Sequence, residues 1–309
     1  MRHRQRHGVA RFLGLGVCLL VASATASGQQ QIRFYLAATS GAGEPVMDLK
    51  PAEISVLEND MPGSVVSVVP VTRPVKITVL VDNGPNTSTL LTQYRNGLKA
   101  FFGALPPGIE SSLLTLAPQP RWVVRPTGDR DLLVKGVDRM LPDDSPPRFI
   151  DGLIEAANRI EQENRRQLAY FPVIVVLSTT GLEGSGVVGR SVDRMATQLL
   201  TYAARLHVIM LGTNARSPSI LLGAAQVQIG KTLADRTGGR YEAIAAPTRI
   251  ASLLPEYGQL IAAAHAFQRQ QYLVTASRPA GLTGPSGVLA VVPVRPGVTF
   301  TATAQGLKP

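Results

Sequence analysis

Asp82, Asn83, Asn86, Thr179 and Thr180 are the residues of this 309-residue chain whose types and positions could do chemistry. Asp82 follows Val75–Val81, a run in which six of seven residues are β-branched or Leu and Lys76 is the only charge. Such a run suits a central parallel strand covered on both faces. Val173–Leu177 is a second run of this kind, and it stops at Ser178, Thr179 and Thr180. In open α/β sheets ligands bind outside the carboxyl ends of the strands, so both turns are expected at one functional edge. A carboxylate, two amides and two hydroxyls there favour hydrogen bonding to a ligand over ionic coordination.

Other constellations carry less. Gly184–Gly189 matches G-x-G-x-x-G between a strand and a helix, but the strand ends several residues too early for a tight phosphate turn. No acid near the next strand's end is placed to hold a ribose, so the stretch reads as a flexible loop. His207, at the start of a strand, and His265, in an Ala-rich helix, read as satisfied core or surface imidazoles. Gly284-Pro285-Ser286-Gly287 lacks the spacing of a nucleophile elbow. Asp143 with Asp144, and Glu161 with Glu163, read as solvated charge, because nothing places them around a pocket. No catalytic residue is predicted, and an unrecognised hydrolase using His207 or His265 remains a remote alternative.

The elements that must position the edge follow from periodicity. Residues 27–72 show short apolar runs between turn residues, the pattern of a small antiparallel β element. Residues 73–268 alternate strands with amphipathic helices, which argues for βαβ units and right-handed crossovers. The first helix is expected from about Thr89 to Leu105, and a longer one from Phe149 to about Gln167. Arg121–Arg125 reads as an edge strand. Pro255 is expected to kink or divide the helix between Thr248 and Phe267. Residues 269–309 return to β pattern. The fold class is thus α/β, a doubly wound, mostly parallel, Rossmann-like sheet flanked by helices, with small β segments at both ends.

Residues 1–26 combine an Arg-rich start, an apolar run from about Phe12 to Ala22 and the small residues Ala24-Thr25-Ala26, the pattern of a secretory signal. The mature protein is therefore expected in the periplasm or outside the cell. The segment contains Arg2, Arg4, Arg6 and Arg11 and no acid, so its removal lowers the net charge from +10 to +6. The remaining cations are scattered and Trp122 is the only tryptophan, which leaves a nucleic-acid platform unsupported. The only cysteine, Cys18, lies inside the leader, so the mature chain has neither disulfides nor a thiolate metal site.

Five stretches in order, VKITVLVDNGPNTS, PPRFIDGLIEA, VIVVLSTTG, LADRTGGRY and QYLV, resemble the von Willebrand factor A domain. The resemblance is closest to bacterial exported proteins described as von Willebrand factor A-related. There a V-x-D-L segment and an E-x-G-like turn precede the domain, here Val46-Met47-Asp48-Leu49 and Glu58-Asn59-Asp60. It implies a metal-ion-dependent adhesion site at the carboxyl edge. This chain departs from that site. The family's Asp-x-Ser-x-Ser reads Asp82, Gly84, Asn86; its Thr, four residues before Asp151, falls on Pro147; the Asp of its S-D-G falls on Thr179. Mg²⁺ demands near-octahedral oxygen ligation, and Asp82 with Asn86 are too few ligands.

The resemblance therefore implies a degenerate site. The expectation is a non-enzymatic, exported protein-binding or adhesion module without cofactor, using the loops that hold Asp82, Asn83, Asn86, Thr179 and Thr180. The alternative is an Mg²⁺-dependent adhesion domain of reduced affinity, with Asp82 and Asn86 as ligands.

Overall fold

A computed structural model of the chain describes residues 30–186, 189–213, 220–282 and 289–303. The expected leader with Cys18, and Gly284–Gly287, lie outside these residues. The described chain forms two six-stranded sheets and six α-helices, an α/β architecture with a Rossmann-like, mostly parallel sheet at its centre.

The central sheet contains β4 (Val75–Val81), β5 (Glu110–Thr115), β6 (Arg121–Thr127), β7 (Phe171–Thr179), β8 (Arg205–Leu211) and β9 (Tyr241–Ile244), in the order β6-β5-β4-β7-β8-β9. All pairings are parallel except β5 with the edge strand β6. Strand periodicity of two divides the side chains between two cores. Ile77, Val79, Val81, Val173, Val175, Leu177 and Ile209 face one side, with helices α1 (Leu91–Ala104), α2 (Arg130–Arg139) and α6 (Arg249–Gln268). Leu80, Ile174, Val176, Leu206, Val208 and Met210 face the other, with α3 (Phe149–Asn164), α4 (Gly189–Thr201) and α5 (Ile220–Arg236). A strand buried on both faces needs the unbroken apolar runs seen in β4, β7 and β8.

Of the kink or division expected at Pro255, helix α6 shows no division. It runs undivided through Pro255 although the proline removes the hydrogen bond to the Ala251 carbonyl. Burial holds it: Ile250, Leu253, Leu254, Tyr257 and Ile261 pack into the core shared with α1. The two backbones approach closely, since a Cβ on Gly97 would meet the Ile250 carbonyl at 2.9 Å and one on Gly258 the Phe101 carbonyl at 2.8 Å.

The second sheet draws on both ends of the chain. β1 (Gln31–Ser40), β2 (Ile54–Glu58) and β3 (Met61–Pro70) join β10 (Gln271–Ser277), β11 (Leu289–Pro293) and β12 (Val298–Thr303) in the order β11-β2-β3-β10-β1-β12. The described parts of the two end segments, read separately in the sequence as 27–72 and 269–309, thus supply one sheet. Its edge strands β11 and β12 are separated in the chain only by 294–297. The five steps from Pro293 to Val298 span at most ~18 Å. Six flat strands would hold their outer members ~24 Å apart. The sheet therefore curls into a barrel, with Phe34, Leu36, Val56, Tyr272 and Val274 inside.

The Tyr272 hydroxyl donates to the Val46 carbonyl at 3.1 Å and accepts from the Leu49 amide at 3.2 Å, pinning the V-x-D-L segment as a loop. Asn59 and Asp60 turn β2 into β3 with φ of 50° and 63°, the conformation of a type I′ hairpin turn. Glu58, at the end of β2, accepts a buried, forked pair of hydrogen bonds from Arg278 at 2.8 and 2.6 Å.

Candidate functional site

Strand β4 ends at Val81 and delivers Asp82 to the carboxyl edge, where it is 1% exposed. Both carboxylate oxygens are occupied. Oδ1 accepts the Gly84 amide at 2.8 Å, and Oδ2 accepts the Thr179 amide at 3.0 Å, the Thr179 hydroxyl at 2.6 Å and the Ser178 hydroxyl at 3.4 Å. Asp82 thus closes its own turn and ties the end of β4 to the end of β7. Burial pushes its carboxyl above the ordinary value, against the pull of these donors. Burial, and after it the Asp82 charge, pushes the Tyr94 hydroxyl of α1 well above its usual range.

The neighbouring polar groups are committed in the same way. Asn83 accepts the Ala117 amide at 2.9 Å and donates to the carbonyls of Ala117 at 3.3 Å and Leu141 at 3.1 Å, so one side chain staples three loops. Thr179 is fully buried; Gln226 of α5 donates to its carbonyl at 3.1 Å and to the Ser178 hydroxyl at 3.0 Å. Thr180 is half-buried, with its hydroxyl accepting the Thr213 amide at 2.9 Å. Asn86 is half-buried, and its Nδ2 finds no acceptor among the described residues.

The five side chains expected to offer a hydrogen-bonding surface are thus divided between interior and surface. Three lie beneath the surface and spend their polar atoms within the fold, because an unmatched polar group so deeply buried would cost about 1–3 kcal/mol. The outer rim is made by other residues. Ser88, Thr89, Pro142, Asp144 and Pro146 are exposed, and Leu141 at 70% is the most exposed large apolar side chain among the described residues. Beside Leu141 a cleft of about 220 Å³ is lined by Asn83, Thr115, Arg121, Arg139 and Asp143 among others.

Pro147 and the loop after β7 complete the edge. Pro147 is buried, and the space that a side chain at position 84 would need is filled by its ring. Glu183 and Ser185, missed in the sequence because they sit in a glycine-rich loop, cap α3. The Glu183 carboxylate accepts the Phe149 amide at 3.2 Å and the Ser185 amide at 2.8 Å, and the Ser185 hydroxyl accepts the Asp151 amide at 3.0 Å. These satisfy amides of the first turn of a helix whose flanking residue, Arg148, offers no side-chain cap. Burial raises the Glu183 carboxyl to about 7. Of the Gly184–Gly189 stretch expected to be a flexible loop, Gly184 and Ser185 are held against Pro147 and the start of α3, Gly186 is exposed, residues 187–188 lie outside the described part, and Gly189 opens α4.

The donor set fits a divalent cation poorly. Asp82 has no oxygen free of hydrogen bonds, Thr179 replaces a carboxylate, and Pro147 brings carbon to the face where a hydroxyl would be needed. Among the described residues no group of three or more His, Cys, Asp or Glu side chains could hold a metal ion. Neither histidine is paired for catalysis: His207 is 1% exposed, its Nδ1 accepts the Arg240 amide at 3.2 Å, and burial lowers it to about 3. Its Nε2 and the Nδ1 of half-buried His265 have no partner among the described residues.

No family profile matches the chain, and no curated protein does. Solved structures do. A von Willebrand factor type A protein from Catenulispora acidiphila aligns with 90% of this chain and 74% of its own at a TM-score of 0.52 and 11% identity. The vWF domain of the type V pili tip protein Mfa5 from Porphyromonas gingivalis aligns with 63% of this chain and 97% of its own at 0.47 and 11% identity. At such identity the likeness is one of fold, and the described chain carries a von Willebrand factor A-like fold. No helix among the described residues is long and apolar enough to cross a membrane.

Proposed function

We propose that the chain is an exported, non-enzymatic binding module that recognises a protein partner through the outer rim of its von Willebrand factor A-like sheet, without a cation. One observation carries this reading: Asp82, the only acid kept from the adhesion motif, spends both oxygens on Gly84, Ser178 and Thr179. The edge is therefore held together from within, and a partner meets Leu141, Pro142, Asp144 and Pro146 rather than a metal. Leu141 and the adjoining cleft supply what a small recognition surface requires, an exposed apolar anchor beside a pocket with polar groups.

Two measurements test it. A thermal melt with millimolar Mg²⁺ or Mn²⁺ is expected to match the melt in chelator. A cation at ~100 times its dissociation constant would add about 2.7 kcal/mol. A rise of several degrees, absent in Asp82→Ala, overturns the metal-free reading. For the rim, affinity capture from the exported fraction is expected to recover a protein with the wild-type chain and lose it with Leu141→Asp; equal recovery with both removes the rim from recognition.

A further inference from the structure

A groove of about 550 Å³ lies at the opposite end of the central sheet, where the chain enters β4 and β7. One wall is the outer face of the barrel, on which Tyr35, Leu273 and Val69 stand side by side in register on β1, β10 and β3. The other is the turn after α3, with Arg166 and Leu168. Arg33, Arg73 and Arg166 come from three separate segments, no Asp or Glu lines the groove, and none of the three pairs with a carboxylate among the described residues.

Arg73 is built into its place. Its guanidinium carbon sits 4.1 Å from the Phe171 ring centroid and 5.7 Å from that of Tyr35, and Nη2 donates to the Tyr35 hydroxyl. The face of Phe171 and the hydroxyl of Tyr35 hold the guanidinium in place before anything binds. Half-burial lowers the pKa of this guanidinium, the cost of a cation held out of water with no counter-charge. Around it the surface is apolar, and Val69 and Leu168 remain 53% and 43% exposed.

We propose that this groove binds an acidic, aliphatic segment of a partner protein, whose carboxylates meet Arg33, Arg73 and Arg166 while its apolar side chains cover Val69, Leu168 and Leu273. A single carboxylate engages one guanidinium through a two-pronged pair of hydrogen bonds. Three unpaired guanidiniums on three segments therefore call for several acids with apolar groups between them. An extended peptide that alternates the two supplies both. The volume falls within the range of ligand pockets, roughly 300–1,000 Å³.

The test is fluorescence polarisation with a labelled hexapeptide alternating Leu and Glu, a Leu-Lys counterpart and dodecanoate as competitor, on the full chain. The Glu peptide is expected to bind, more weakly as salt rises, and the Lys peptide not to bind. Arg33→Glu combined with Arg166→Glu, both exposed positions, is expected to weaken binding at least about tenfold at an unchanged melting temperature. Arg73→Gln should do the same while Leu141→Asp and Asp82→Ala do not, which separates this groove from the rim. Absence of Glu-peptide binding, binding indifferent to the charge reversals, or dodecanoate binding without peptide binding each overturns the proposal.

Discussion

Gly84 and Pro147 are matched to one another: a Cβ on Gly84 would lie 2.8 Å from Pro147 Cδ and 3.1 Å from the Ser145 carbonyl oxygen. They stand at two positions where an adhesion motif would carry hydroxyls. Loss of the side chain at one makes the room that the ring at the other fills.

Gly84→Ala is accordingly expected to cost about 1–3 kcal/mol in urea denaturation, the usual penalty of overpacking. Pro147→Ala should remove much of that penalty, so the double variant is more stable than the sum of the singles predicts. Strict additivity would show that the two residues do not share the space.

Asp82→Ala leaves the Gly84 amide, the Thr179 amide and the Thr179 hydroxyl without their acceptor inside the fold. A loss of ~3 kcal/mol is expected in the same experiment. Removal of Asp82 at no cost would mean that the carboxylate does not tie β4 to β7.

Glu183 gives the chain a pH dependence of known sign. Its folded carboxyl titrates at about 7 against an ordinary 4.5, so the folded state holds the extra proton between these values. This contribution to stability therefore falls as pH rises from 4.5 to 7, by about 3 kcal/mol at most. Glu183→Gln cannot ionise and keeps an acceptor for only one of the two amides, a fixed cost at every pH; its stability relative to the wild type should still increase across that window, measured as denaturation midpoints at several pH values. A constant difference would contradict the assignment.

His207 acts in the opposite direction. Its folded value of about 3 lies below the ordinary 6.5, so the unfolded chain takes up the proton first. The stability of the neutral buried ring is complete above pH 6.5 and is lost as pH falls towards 3. His207→Gln should flatten the acid limb of the stability curve even if it lowers the curve overall. An acid limb identical in both proteins would show that other groups cause the loss.

Much of the fold was legible because it rests on runs that admit few readings. Val75–Val81, Val173–Leu177 and Leu206–Leu211 are too apolar for anything but strands covered on both faces, and each is one. Pro255 does not divide α6, since local chemistry marks the lost hydrogen bond but not the packing of Ile250, Leu254 and Tyr257 that compensates for it. At the edge, Asp82 and its turn could be located, yet residue type does not say whether a polar atom points outward. Asn83 and Thr179 turn inward because loops 34 and 97 residues away supply their partners. Glu183 was hidden for the same reason: its partner is the start of a helix 34 residues earlier.

The curled sheet has a mechanical consequence. The chain leaves the barrel after β3 and returns at β10, and the two crossings touch where the Val71 amide meets the Gln271 carbonyl at 2.9 Å. Everything between them is a long excursion from the curled sheet. Tension applied at Gln31 and Thr303 falls first on the antiparallel ladder joining β1 to β12, in which Tyr35 faces Thr303. The central sheet and its rim lie outside that path, so the carboxyl edge keeps its shape under tension for as long as the ladder between β3 and β10 holds.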